Sequence, residues 1–191
     1  MSIANMLTIA RIALMPLYLL LLCRSGVESN SYLWASLIVF FVVAISDALD
    51  GYLARRFNEV TSFGAILDPI GDKLILWSSF IVFAYYGRVP TWLAALVIGK
   101  DFLVVCGGIA LFALKCDYSP KPNVWGKSSA AINFFLVIST LTSIGFGLFE
   151  HPTSARFFWG YWLIAGLLTI ISGVSYAVIG AGRVKQRARS I

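Results

Sequence analysis

Four aspartates in the first half of the chain are the residues best suited to chemistry: Asp47, Asp50, Asp68 and Asp72. They lie between two long apolar segments, in the stretch SDALDGYLARRFNEVTSFGAILDPIGDK. A carboxylate deep in a bilayer costs roughly 2.5 to 3.5 kcal/mol, even on the most lenient insertion scale. Such residues are therefore rare unless they are paired, hydrated or bound to a cation. Four of them in one stretch predict a cation site.

The spacing of the aspartates predicts two pairs of carboxylates on helix faces. Asp47 and Asp50 are three residues apart, and Asp68 and Asp72 are four apart. On a helix, each pair therefore lies on one face, about one turn apart. Clustered carboxylates suit hard cations such as Mg²⁺ or Mn²⁺, and no histidine or cysteine lies among them to favour zinc. We predict a two-metal site of the kind that assists phosphoryl transfer.

The same stretch resembles the signature of the CDP-alcohol phosphotransferase family, D-x2-D-G-x2-A-R-x8-G-x3-D-x3-D. The matching residues are Asp47, Asp50, Gly51, Ala54, Arg55, Gly64, Asp68 and Asp72. Asn5, Leu7, Thr8 and Arg11 are similar to the N-x-L-T-x-x-R segment of that family. The resemblance covers most of the chain. It is closest to the branch of phosphatidylglycerophosphate synthases and cardiolipin synthases.

The composition predicts an integral membrane protein, because 59% of the residues are hydrophobic and only 13% are charged. A helix needs about 20 apolar residues to cross a bilayer. We predict an all-α bundle of six transmembrane helices that forms a single domain over residues 1–191. The predicted spans are 6–23, 31–53, 63–86, 91–114, 128–149 and 157–180.

The basic residues predict the orientation of these spans. With the amino terminus in the cytoplasm, nine of the basic residues outside the spans are cytoplasmic and three are external, which is a positive-inside bias. The cytoplasmic set is Arg55, Arg56, Lys115, Lys121, Lys127, Arg183, Lys185, Arg187 and Arg189. We therefore expect a multi-pass protein of the inner cell membrane, with both termini and the active site facing the cytoplasm. A role in nucleic-acid binding would need a basic soluble face, which the sequence lacks.

The resemblance to the family implies roles for the motif residues. It implies that Asp47, Asp50 and Asp68 hold the metal ions and that Asp72 is the general base, with a contact between Asp72 and a metal left open. It also implies that the cytidine diphosphate group is bound by Asp50, Gly51, Ala54, Arg55 and Gly64. Taken alone, the small residues among these would indicate only close helix packing.

Two lysines are candidates for binding the acceptor alcohol. Lys100 lies beside Asp101 inside the fourth predicted span, where the related branch has Arg-Glu or Arg-Asp. A buried ion pair without a function is the alternative. Lys127 precedes the fifth predicted span in the run Gly-Lys-Ser-Ser, and Ser129 stands where the related enzymes have a second lysine. A juxtamembrane anchor is the alternative for Lys127.

We therefore predict an enzyme of phospholipid biosynthesis that transfers a phosphatidyl group from CDP-diacylglycerol to an alcohol and releases CMP. Glycerol 3-phosphate is the preferred acceptor. Phosphatidylglycerol, giving cardiolipin, is the alternative, and inositol phosphate and serine stay open. A cation-coupled transporter is a distant alternative, since carboxylates inside a membrane also mark ion pathways. The expected partners are these substrates and membrane lipids, with a homodimer left open.

Overall fold

The structure, a computed structural model, describes the backbone of residues 3–25, 30–57, 64–113, 124–148 and 152–188. Side chains are described for residues 13–25, 30–46, 73–108, 110–111, 124–148, 156–183 and 185. The described backbone contains six helices: α1 (Ile3–Ser25), α2 (Asn30–Phe57), α3 (Gly64–Tyr85), α4 (Thr91–Ala113), α5 (Val124–Gly145) and α6 (Pro152–Ala188).

Long apolar segments form helices because a bilayer offers no partner for backbone N–H and C=O groups, so the segment must satisfy them internally. The all-α prediction is confirmed, and each helix coincides with a predicted span to within several residues at most ends. Gly87 ends α3 with a positive φ of 66°. There, Arg88 N–H donates to the Phe83 carbonyl oxygen at 2.8 Å. Only glycine takes this conformation at little cost, which allows a short connection to α4.

Three helices among the described side chains are long and apolar enough to cross a membrane, over Thr91–Gly108, Val124–Gly145 and Arg156–Arg183. Shorter apolar stretches occupy the described parts of α1, α2 and α3. Each of these three helices also includes residues whose side chains are not described. Crossing of the membrane by all six helices therefore stays a prediction.

The chain divides into two compact units. The first contains residues 1–88 and 137–150, and within it α1 packs against α2 and α3. The Tyr18 ring lies 5.9 Å from the Phe40 ring, and Arg24 lies 6.0 Å from the Tyr32 ring. Residue numbers thus rise along α1 while those of the contacting residues in α2 fall. This order shows that α1 and α2 are antiparallel.

Contacts between α1 and α3 follow the opposite order. Tyr18 Oη and Ser79 Oγ are 2.6 Å apart, and Tyr86 Oη donates to the Cys23 carbonyl oxygen at 3.0 Å. Residue numbers rise together along the two contacting segments, so α1 and α3 are parallel. It follows that α2 and α3 are antiparallel to each other.

The second unit contains residues 89–136 and 151–191, and its main helix pair is α4 with α6. Three glycines of α6, spaced seven residues apart, face α4. Added Cβ atoms at Gly166, Gly173 and Gly180 would meet Trp92, Lys100 and Leu111, respectively. The order of these contacts shows that α4 and α6 are parallel.

The first part of α5 packs against α6 in the antiparallel direction. Gly126 faces Tyr176, and Tyr161 Oη donates to the Ile132 carbonyl oxygen at 3.3 Å. As in the first unit, successive helices therefore alternate in direction.

Candidate active site

All eight residues of the motif lie on helical backbone of the first unit. The second half of α2 contains Asp47, Asp50, Gly51, Ala54 and Arg55. Gly64, Asp68 and Asp72 belong to the first half of α3. The side chains of these eight residues lie outside those that the structure describes.

The register between α2 and α3 follows from their common neighbour α1. Phe40 of α2 and Ser79 of α3 both contact Tyr18, so these two residues lie at the same level of the antiparallel pair. Contacts at the end of α1 give the same register. Arg24 contacts Tyr32 of α2, and Cys23 accepts a hydrogen bond from Tyr86, just after α3. The two helices also contact each other directly.

This register brings the two aspartate pairs to the same level. Continued along both helices at about 1.5 Å per residue, it predicts that Asp47 lies level with Asp72 and that Asp50 lies within about one residue of the level of Asp68. The spacing of each pair by three or four residues was visible in the sequence. Their common height along two adjacent helices is a property of the fold.

The donor set fits a hard divalent cation. Aspartate is the residue type that supplies the oxygen ligands that Mg²⁺ and Mn²⁺ prefer, and the motif has two aspartates on each of two adjacent helices. Among the residues whose side chains the structure describes, no group of three or more histidine, cysteine, aspartate or glutamate residues could hold a metal ion. The motif aspartates remain the candidate ligands.

Lys100 belongs to α4 of the second unit and is largely buried. Its Nζ lies 3.0 Å from Asp101 Oδ1, and the two side chains are 11% and 13% exposed. Nζ also donates to Ser129 Oγ of α5 at 3.4 Å. The Lys100 stem passes close to Gly173 of α6, where an added Cβ would lie 3.3 Å from the lysine Cγ.

The surroundings of Lys100 include residues that the sequence analysis did not identify as functional. Thr169 of α6 lies 3.3 Å from Ser129, measured between the hydroxyl oxygens, and both side chains are fully buried. No sequence pattern marks Thr169, since a single threonine in an apolar helix is common. Only the packing of α4, α5 and α6 reveals it.

Lys127 lies in the first turn of α5 and is exposed. It is two residues before Ser129 on the same helix, and therefore on a different side of it. An exposed lysine at this end of α5 fits both the acceptor role and the anchor role.

A sequence model of the CDP-alcohol phosphatidyltransferase family matches residues 1–179, which is most of the chain and includes parts of both units. The chain belongs to this family. It is therefore a membrane-associated phosphatidyltransferase of phospholipid biosynthesis, as the motif predicted.

Relatives with two different named activities match nearly the whole chain. A CDP-diacylglycerol–glycerol-3-phosphate 3-phosphatidyltransferase of Bacillus subtilis is 29% identical, over 92% of this chain and 93% of its own. One from Rickettsia bellii is 33% identical, with the same two coverages. A cardiolipin synthase (CMP-forming) of Streptomyces coelicolor is 33% identical over 93% of this chain and 82% of its own. Identity alone does not separate the two activities.

Proposed function

We propose that this phosphatidyltransferase uses CDP-diacylglycerol and glycerol 3-phosphate, and so makes phosphatidylglycerophosphate and CMP. The observation that carries the proposal is the common level of the two motif aspartate pairs on α2 and α3. The names of several relatives that match over nearly their full length support the choice of substrates.

Asp47, Asp50 and Asp68 would hold divalent cations in this reaction. Bound there, the cations would supply charge neutralisation for the pyrophosphate of the donor substrate. The small residues Gly51, Ala54 and Gly64 leave room beside the carboxylates, and Arg55 adds a cation for the donor phosphates. We assign these four residues and Asp50 to cytidine diphosphate binding.

Asp72 would act as the general base. It accepts the proton of the acceptor hydroxyl as that oxygen forms a bond to the β-phosphorus of CDP-diacylglycerol. The bond between that phosphorus and the bridging oxygen breaks, and CMP leaves with the electron pair. A carboxylate close to positive charge stays ionised and so is ready to accept a proton.

Lys100 and Lys127 would bind the phosphate of the acceptor. Glycerol 3-phosphate carries its charge at the end remote from the reacting hydroxyl, so cations are needed away from the aspartates. Lys100 is suited to this because an ammonium has three N–H donors. Two of them have partners among the described residues, Asp101 and Ser129.

Phosphatidylglycerol is the second candidate acceptor, and the ion pair of Lys100 with Asp101 favours it. The pair has no net charge, and phosphatidylglycerol has one internal phosphodiester that needs less positive charge than a terminal phosphate does. The relative from Streptomyces coelicolor is named for cardiolipin synthesis.

We also propose that all six helices cross the inner membrane, with both termini and the aspartates on the cytoplasmic side. The alternating helix directions within each unit support this arrangement, as does the excess of basic residues in the predicted cytoplasmic segments.

Purified protein incubated with Mg²⁺, CDP-diacylglycerol and one alcohol at a time tests the proposal. We expect CMP release with glycerol 3-phosphate, and a product with the mass of phosphatidylglycerophosphate. Release of CMP with phosphatidylglycerol alone would reassign the chain to cardiolipin synthesis. No CMP release with any alcohol of the panel would contradict the proposed reaction.

A further inference from the structure

The hydroxyl groups beside Lys100 form a hydrogen-bond chain with a defined direction. Thr169 Oγ1 donates its one proton to the Ala165 carbonyl oxygen at 2.7 Å. Thr169 Oγ1 must therefore accept the proton of Ser129 Oγ, 3.3 Å away. Ser129 Oγ in turn accepts from Lys100 Nζ, since an ammonium only donates. Every bond runs from the lysine towards the backbone of α6.

These hydrogen bonds join three helices at the level of Lys100. Lys100 is on α4, Ser129 on α5 and Thr169 on α6. Because Ser129 and Thr169 are fully buried, their hydroxyls can affect a substrate only through their neighbours. Gly173 leaves the space through which the lysine stem reaches them.

Among the described residues, Asp101 and Ser129 both attract the ammonium of Lys100. Asp101 lies on the same helix as Lys100 and holds Nζ at 3.0 Å, while Ser129 holds it from another helix at the longer distance of 3.4 Å. A carboxylate attracts an ammonium more strongly than a neutral hydroxyl does. Without Ser129, the ammonium would therefore move closer to Asp101 and give more of its donors to that carboxylate.

We propose that Ser129, itself oriented by Thr169, is a positioning residue that keeps one N–H donor of Lys100 available to the phosphate of the acceptor alcohol. This inference rests on the acceptor-binding role of Lys100 proposed above. It assigns a specificity-determining function to two buried hydroxyls.

Steady-state kinetics of the full-length protein in detergent test this inference. The variant Ser129→Ala should raise KM for glycerol 3-phosphate by about three- to tenfold, the equivalent of one modest hydrogen bond. Its kcat and its KM for CDP-diacylglycerol should stay close to those of the wild type. The phosphate is remote from the reacting hydroxyl, so its binding energy is the same in the ground state and the transition state.

Substitutions at Thr169 test the direction of the hydrogen bonds from Lys100 to Thr169. Thr169→Val keeps the side-chain shape but removes the acceptor for Ser129, and should raise the same KM by a smaller factor. Thr169→Ser keeps the hydroxyl and should restore the wild-type KM. Because the two residues act in series, Ser129→Ala with Thr169→Val should be no worse than Ser129→Ala alone.

Ser36→Ala is the matched control for loss of a buried serine hydroxyl. Ser36 is also fully buried, but its hydroxyl donates only within its own helix, to the Leu33 carbonyl oxygen at 2.7 Å. A raised acceptor KM in Ser36→Ala as well would show a general effect of core serines and overturn the inference.

Lys100→Ala separates this inference from the proposed function. If Ser129 acts through Lys100, then adding Ser129→Ala to Lys100→Ala should change the acceptor KM no further. A further increase in that double variant, or an unchanged KM in Ser129→Ala alone, would overturn the positioning role. Failure of the wild type to use glycerol 3-phosphate would instead contradict the proposed acceptor.

Discussion

At the scale of residues, the motif aspartates and Lys100 differ in the groups that offset the cost of a charge inside an apolar helix. Lys100 has a neighbouring carboxylate on its own helix and a hydroxyl from a second helix. Each of the four aspartates, by contrast, has a second aspartate three or four residues away, and a basic residue directly follows only Asp72. Like charges at one level of a helix pair repel each other, and a cation removes that repulsion.

Activity should therefore depend on a divalent cation held by the aspartates. Chelation should abolish CMP release, and added Mg²⁺ or Mn²⁺ should restore it. Asp47→Asn or Asp68→Asn should lower kcat/KM by at least about a hundredfold, because a bound metal ion stabilises the charge of the transition state by several kcal/mol. The Mg²⁺ concentration for half-maximal rate should also rise.

The control for this prediction is Asp117→Asn, which removes a carboxylate outside the motif. It should leave the Mg²⁺ dependence unchanged. Full CMP release by the wild type in excess chelator would refute the metal requirement.

At the scale of elements, α6 shows how small residues set helix packing in this chain. Gly166, Gly173 and Gly180 allow α4 to approach, and the side chains of Trp92, Lys100 and Leu111 occupy the space that larger residues would need. Lipid tails are as apolar as leucine, so close packing is a main source of helix association in a membrane. The glycine series therefore stabilises the pair that carries Lys100 and Thr169.

Gly166→Ala should destabilise the protein. The new Cβ would lie 2.8 Å from Trp92 Cζ3 and 3.0 Å from Cη2, distances that force the indole or the helix to move. We expect a loss of about 1 to 3 kcal/mol in the free energy of unfolding, and a lower melting temperature in detergent.

Gly160→Ala is the matched control on the same helix, because an added Cβ there has no atom within 4 Å. It should be neutral or slightly stabilising, since alanine favours a helix over glycine by about 1 kcal/mol. Equal melting temperatures for the two alanine variants would contradict the role assigned to the glycine series.

At the scale of the whole molecule, the helices of each unit alternate in direction. Within the first unit α1 and α3 are parallel while α2 runs against them, and within the second unit α4 and α6 are parallel while α5 runs against them. Such alternation is what successive crossings of a membrane produce. The homodimer stays a prediction.

Cysteine labelling tests the proposed orientation. In a chain with Cys23, Cys106 and Cys116 replaced, a single cysteine at Asn58 should react only with reagents that enter the cytoplasm. One at His151 should react with an impermeant reagent from outside. Opening the cells before labelling is the control, since both positions should then react. The reverse pattern would move the aspartates away from the compartment that the charge distribution predicts.

The sequence by itself determined the all-helical class, most of the helix bounds to within several residues, the family and the motif residues. Length and hydropathy suffice for the helices, because apolar segments in a bilayer have few alternatives. The fixed spacing of Asp47, Asp50, Asp68 and Asp72 suffices for the family, because the motif lies within one short stretch of the chain.

The tertiary structure alone decided which distant residues meet. The common level of the aspartate pairs depends on contacts of Tyr18 with two other helices, and the chain from Lys100 through Ser129 to Thr169 joins residues up to 69 positions apart. Such contacts depend on helix register and direction, which arise from side-chain packing between segments far apart in the sequence. No local pattern records them.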